Sequence, residues 1–203
     1  MPDPISWALA WPYLLAAFAG GYFAGSVPFG LVLTKLTGAG DLRSIGSGSI
    51  GATNVLRTGR KDLAAATLAL DAAKGAIAVA VAGGWGIDMA IAAGFGAILG
   101  HMFPLWLKFN GGKGVATYVG ILFGLYWPAG LFFLGVWIVV AVALRYSSLA
   151  ALTATLATPG FMAFTGEFHL METAIIIGVL IFTAHRANIK RLIRGVESRI
   201  GGS

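Results

Sequence analysis

Long apolar runs alternate with short polar breaks along the whole chain. Apolar residues fill the stretches 5–33, 62–82, 88–107, 114–126, 128–146, 148–166 and 169–185, and charged residues cluster between them. A helix needs roughly 20 residues to cross hydrocarbon. The pattern therefore predicts an all-α, polytopic membrane helix bundle of about seven transmembrane helices. The fourth stretch is short and meets the fifth at Trp127-Pro128, so these two also suit one kinked helix. Five spans is the rival count. The opening residues, Met1 to Trp11, have no basic start and carry Asp3, so they read as the beginning of the first span and not as a removed signal. Nothing repeats at a fixed period and no soluble domain is appended, so residues 1–203 read as a single integral membrane domain.

Composition hardens the membrane reading. Hydrophobic residues make up 58% of the chain and charged ones 11%, against about 25% charged in ordinary soluble domains. That leaves too little polar surface to cover a water-soluble globule, and the mean hydropathy is +0.84. The absence of cysteine excludes disulfides, thiolate metal sites and a cysteine nucleophile. A net charge of +6 could suggest nucleic acid, but in a membrane protein Lys and Arg gather in cytoplasmic loops beside anionic lipid. No nucleic-acid partner is expected.

The charges also set the orientation. With the N-terminus outside and seven spans, every one of the 14 Lys and Arg residues except Lys74 falls on the inner side. Asp3, Asp88, Glu167 and Glu172 fall outside. This segregation predicts an external N-terminus and a cytoplasmic C-terminus. Lys74 lies inside the second span three residues after Asp71, where charges are costly, and a mutual ion pair is the expected arrangement. Of the 30 glycines, Gly20-Gly21, Gly25 and Gly94/Gly96 are expected to serve close helix packing.

Three polar segments fall on the predicted inner face. The first holds Gly46, Ser47, Gly48, Ser49, Gly51, Thr53, Asn54 and Arg57. Its glycines allow successive N–H groups to converge on an anion, and Arg57 offers a planar fork for phosphate. The stretch equally suits a flexible loop with a helix cap at Thr53 or Asn54. The second runs from His101 through Gly111-Gly112-Lys113-Gly114. A Gly-Gly-Lys-Gly run opening an apolar helix offers N–H groups, the positive end of the helix dipole and a point charge. It is not a Walker A loop, because glycine and not Ser or Thr follows the lysine. His101 also suits an interfacial structural role. The third holds His185 and Asn188, which share a helix face, followed by a basic amphipathic tail suited to anionic lipid.

Together with Gly25-Ser26-Val27-Pro28-Phe29-Gly30, Lys35, Asp41-Leu42-Arg43, Leu70-Asp71-Ala72-Ala73-Lys74-Gly75 and Tyr146-Ser147-Ser148-Leu149-Ala150, these segments resemble the acyl-phosphate-dependent glycerol-3-phosphate acyltransferases of bacterial inner membranes. One departure is Ser49, where the family usually has Asn. The resemblance implies acyl transfer from acyl phosphate to the 1-hydroxyl of glycerol-3-phosphate, giving lysophosphatidic acid and phosphate. It implies a multi-pass protein of the inner membrane, and it places Ser47, Asn54, Arg57, Lys113, Ser148, His185 and Asn188 at the active site. The expected catalytic set is Ser47, Arg57, Lys113, His185 and Asn188. Gly46, Gly48, Asn54, His101, Gly111, Gly112, Gly114 and Ser148 are the expected binding residues. Two phosphates must be held close together, a positioning and electrostatic task for a cationic pocket. Lys113 and its loop are expected to grip glycerol-3-phosphate, with Ser47, Asn54 and Arg57 on the acyl-phosphate head.

No covalent intermediate is needed, since acyl phosphate is already activated, and the Gly-x-Ser-x-Gly elbow is absent. The His-x4-Asp signature of thioester-using acyltransferases is absent too: Trp106, Ala174 and Lys190 stand five residues after the three histidines. The proton acceptor is either His185, held by Asn188, or the donor phosphate. Two rival readings are a small transporter of anionic solutes, against which the polar sites lie in loops and not at mid-span, and a metal-dependent phosphotransferase, which wants clustered Asp residues. No metal, cofactor or obligate protein partner is expected.

Overall fold

The computed structural model describes residues 7–46 and 48–201. The described residues are helical wherever they are regular, in agreement with the all-α expectation. They form two compact units, the first ending at Leu125 and the second beginning at Tyr126.

The first unit contains α1 (Trp7–Gly25), α2 (Phe29–Leu36), the one-turn α3 (Ala52–Val55), α4 (Lys61–Gly83), α5 (Ile87–Met102) and α6 (Val115–Leu125). The expected continuous span 5–33 is broken at Ser26-Val27-Pro28; its first two residues lie outside the described ones. Pro28 has no N–H and crowds the helical conformation of Val27, which accounts for the break. α4 and α5 form a hairpin closed at residues 84–86, where Gly86 takes φ +120°.

Small residues set how close these helices come. Gly21 and Gly25 of α1 lie against the carbonyls of Ala93 and Ala97, and Gly96 and Gly100 of α5 lie against those of Phe18 and Tyr22. Both helices thus present glycines four residues apart, the spacing that lets two backbones touch in lipid. Gly75 and Gly120 do the same between α4 and α6, against the carbonyls of Thr117 and Ala72. Gly94 packs on Ile121 and Val79. Gly20 is the exception among the expected packing glycines: it is exposed, with nothing within 4 Å of its missing Cβ.

The second unit contains α7 (Trp127–Leu144), α8 (Ser147–Phe164), α9 (Phe168–Ala184) and α10 (Arg186–Ile193). α7 and α8 are joined in part by stacked Phe132 and Phe161 rings, 4.4 Å apart. α9 and α10 meet at a bend of 65°.

Among the described residues, five helical segments are long and apolar enough to cross a membrane, or six if α9 and α10 are taken as one bent span. At 11 residues, α6 falls short of that length. Outward positions of these helices stay apolar, as with Ile77 and Val81 of α4 or Val139 and Val142 of α7. A helix apolar on all sides is at home in lipid and not at a water interface. The protein is therefore a multi-pass membrane protein. Within each unit the charges segregate as expected. In the first, Lys35 to Lys61 and Lys108 to Lys113 lie at one end and Asp88 at the other; in the second, Arg145 and Arg186 to Arg199 lie opposite Glu167.

Candidate active site

Loop 37–60 of the first unit is a folded structure in its own right. Leu42 and Val55 are fully buried with Leu63 in a small apolar core. Asn54, 3% exposed, donates its amide to the carbonyls of Leu42 and Ser49, both at 2.8 Å. α3 is capped by Gly51, with no side-chain bond from the cap, so neither Thr53 nor Asn54 is the cap. The convergent nest expected from the glycines is only partly available. The Gly48 N–H closes a turn on the Ile45 carbonyl at 2.9 Å, and the Gly51 N–H points to the Ser49 hydroxyl at 3.4 Å. Gly46 has φ +55°, and any Cβ there would strike the Arg57 guanidinium and the Asn54 amide oxygen. Glycine at this position is thus the bed on which Arg57 lies. Ser47, between these glycines, lies outside the described residues.

Charge in this loop is divided between two jobs. Arg43 and Arg60 bind the nearby carboxylates of Asp41 and Asp62 at 2.7 and 2.6 Å. Hydrogen bonds from Arg43 hold Asp41 at about 2, below the usual carboxylate range. Such exposed pairs stabilise little. Arg57 is the exposed arginine of this loop that lies on the glycine turn instead.

The second loop is templated by the end of α5. The Gly111 N–H donates to Met102 O at 3.1 Å and the Gly112 N–H to His101 O at 3.0 Å. Those two donors are therefore committed to protein, while Lys113 beside them is half-buried and the first turn of α6 follows Gly114. Gly114 has φ +84° and packs on Ile98. His101, 3% exposed, does not face solvent: its ring lies directly under Gly112, and its Nδ1 is 3.7 Å from Asp71. Asp71 and Lys74 form the expected ion pair, at 2.7 Å.

In the second unit, α7 to α10 bring Ser148, His185 and Asn188 to one end, all nearly buried. His185 Nδ1 bonds the Ile181 carbonyl at 2.8 Å. A carbonyl only accepts, so Nδ1 carries a proton in this contact. Asn188 donates its amide at 2.6 Å to Glu197, a residue that sequence reasoning passed over. Ser148 donates to the same carboxylate at 2.8 Å, and Arg191 at 2.6 Å. Residues 194–201 fold back to make this possible. Gly195 turns with φ +70°, Ile200 exchanges hydrogen bonds with Arg145, and Arg199 bonds the Tyr146 hydroxyl. A cavity of about 340 Å³ opens beside Glu197, lined otherwise by Tyr146, Leu149, Leu192, Ile193 and Gly195. That lining suits hydrocarbon better than phosphate.

Burial pushes the Glu197 carboxyl up, but the bonds from Asn188, Arg191 and Ser148 outweigh it and leave the group below its ordinary value. A carboxyl lowered in the folded state contributes stability that is complete above its unfolded pKa and fades as the pH falls through the folded one. The wild type should therefore lose its Tm advantage over Glu197→Gln below about pH 4.5. Melting curves in detergent at stepped pH check this, and a Tm gap unchanged down to about pH 3.5 would contradict it.

Helices apolar on all sides, with cationic and hydroxyl-bearing loops at one end of each unit, define a membrane enzyme or carrier for anionic, phosphate-bearing molecules. Comparison with known proteins narrows this class. A family model described as glycerol-3-phosphate acyltransferase matches residues 15–195. The glycerol-3-phosphate acyltransferase of Bradyrhizobium diazoefficiens is 59% identical over 190 residues, covering 93% of this chain and 96% of that protein. Its namesake in Brucella anthropi is 57% identical over 188 residues, covering 93% and 94%. Among solved structures, PlsY, an integral membrane glycerol 3-phosphate acyltransferase crystallised in its glycerol 3-phosphate form, is 40% identical with a TM-score of 0.86 over 95% of this chain and 96% of that one. The lysophosphatidic acid form of PlsY matches equally well, covering 93% and 95%. The chain belongs to the glycerol-3-phosphate acyltransferase family and is an acyltransferase of phospholipid biosynthesis.

Proposed function

We propose that this protein moves an acyl group from acyl phosphate to the 1-hydroxyl of glycerol-3-phosphate, releasing lysophosphatidic acid and inorganic phosphate. The observation that carries this is the likeness to a protein crystallised with that acceptor and with that product. The absence of a His-x4-Asp pair supports acyl phosphate over a thioester as donor. The two units serve one catalytic domain with seven spans in the inner membrane. The N-terminus lies outside and the charged loops in the cytoplasm, a reading supported by the charge segregation within each unit.

In this reading Lys113 and the first turn of α6 hold the phosphate of glycerol-3-phosphate, while Arg57 and Ser47 take the head of the donor. Gly46, Gly48, Gly111, Gly112 and Gly114 shape the two loops, and Asn54 braces the first of them. The hydroxyl oxygen attacks the acyl carbon, the bond from that carbon to the phosphate oxygen breaks, and phosphate departs. The hydroxyl proton passes to the departing phosphate, whose second pKa is about 6. His185 and Asn188 orient the acceptor, with Ser148 beside them.

Purified protein given acyl phosphate and glycerol-3-phosphate should release phosphate in step with lysophosphatidic acid. Product formed from acyl-CoA alone would assign the donor to another class. His185→Asn should keep substantial kcat. A fall below about 10⁻² of wild type, the scale of losing a general base, would make His185 the proton acceptor instead.

A further inference from the structure

Asp71, Lys74 and His101 form a buried polar cluster that the reaction as described does not use. All three are at most 5% exposed, and they lie in helices long and apolar enough to cross the membrane. Charges placed there are expensive, and a buried ion pair of good geometry commonly contributes less stability than apolar side chains of the same volume. Some other demand must keep them, and their contacts identify it.

Lys74 Nζ bonds Asp71 at 2.7 Å and also the Val27 carbonyl at 3.0 Å. Val27 sits in the break between α1 and α2, where helical bonding lapses and its carbonyl takes the Phe29 N–H at 3.1 Å beside the Lys74 ammonium. The neighbouring Ser26 carbonyl is met by Trp106 Nε1 at 2.8 Å, and Tyr22 OH reaches back to the Phe103 carbonyl at 2.7 Å. Trp106 and Phe103 belong to the segment that leads from α5 into the Gly-Gly-Lys-Gly loop. The Asp71 oxygen that bonds Lys74 also stands 3.7 Å from His101 Nδ1, beyond hydrogen-bond length but close enough for charge to act on the ring. The His101 ring is the surface on which Gly112 rests, and the His101 carbonyl takes the Gly112 N–H at 3.0 Å. The next residue is Lys113. One further contact fixes the depth: Gly75, adjacent to Lys74, lies on the Thr117 carbonyl in the first turn of α6.

We propose that Asp71, Lys74 and His101 are positioning residues for glycerol-3-phosphate: the ion pair fixes the His101 ring, the ring sets the height of Gly112, and Gly112 sets where Lys113 presents its charge. None of the three touches substrate. The inference rests on the role given to Lys113 above. A displacement of even 1 Å at a phosphate contact is enough to weaken it greatly, so a rigid charged pair under the loop gives a precision that loosely packed side chains would not.

The test separates positioning from plain stability. The full chain is purified in detergent, and its Kd for glycerol-3-phosphate is measured by calorimetry, beside its Tm and the KM for each substrate. His101→Ala should weaken glycerol-3-phosphate binding about tenfold while the KM for acyl phosphate stays within about twofold. Lys74→Met leaves Asp71 buried without its partner and should lower both Tm and affinity. Asp71→Asn combined with Lys74→Met removes both charges at constant volume. Its Tm should recover, while the affinity stays reduced. If affinity returns together with Tm in that double variant, or if His101→Ala affects both substrates equally or neither, the cluster only holds the fold. Should His101→Ala not fold, the double variant decides alone. A wild type that binds glycerol-3-phosphate but shows no turnover with acyl phosphate would overturn the proposed reaction and leave this cluster standing.

Discussion

Replacing Lys113 with alanine should raise the KM for glycerol-3-phosphate roughly ten- to a hundredfold while kcat changes little. The Gly111 and Gly112 N–H groups are committed to the end of α5, so those two donors cannot compensate. The lost contact is a charge-assisted one, worth about 1.5–3 kcal/mol, and each 1.4 kcal/mol is about a factor of ten in binding. Uniform binding lost from substrate and transition state alike appears in KM and not in kcat. Lys113→Arg should recover only part of the affinity, because a planar fork on a longer stem does not reproduce a compact ammonium. Steady-state kinetics with acyl phosphate saturating gives the answer, and an unchanged KM for glycerol-3-phosphate would remove Lys113 from the acceptor site.

Gly96→Leu should be among the most damaging single substitutions in the chain. A Cβ at Gly96 would meet the Phe18 carbonyl and come within 2.7 Å of the Tyr22 nitrogen, both of them backbone atoms of α1. Backbone cannot swing aside as a side chain does, so α1 and α5 must separate along their shared glycine seam. Overpacking of this kind costs about 3 kcal/mol or more. The expected result is loss of the monodisperse peak in size-exclusion chromatography, or a Tm too low to measure. Gly20→Leu, on the partner helix α1, is the matched control: its Cβ meets nothing, and it should behave as wild type. If Gly96→Leu proves as stable as Gly20→Leu, close approach through glycine is not what joins α1 to α5.

These two glycines also show where sequence reading succeeds and where it stops. Composition and run length were enough for an all-helical membrane protein, because hydrocarbon imposes its length requirement on every span. The Asp71–Lys74 pair was equally legible, since two opposite charges three apart on a helix have few other options. Gly20 and Gly21 are adjacent, yet only one faces a neighbour, and the chain itself does not say which side of α1 meets α5. The break at Val27-Pro28 did carry a signal, the restriction proline puts on the residue before it, but a run of apolar residues masks it. Glu197 carried almost none. Its partner Ser148 lies 49 residues earlier, and one acid in a basic tail has no periodicity to mark it. The glycine-rich loops looked like open donors because a sequence shows which N–H groups exist and not which are already taken.

The 11 residues of α6 rise only about 16 Å, little more than half of a hydrocarbon core about 30 Å thick. Its two ends cannot both stand at the headgroup planes, so lipid must thin around it or an aqueous vestibule must reach below the surface. A cysteine introduced beside Gly114, in a chain that has none of its own, would report that depth through its accessibility to polar thiol reagents. A recess of this kind would bring a water-borne alcohol down to the level where the acyl chain of a lipid-dissolved donor begins.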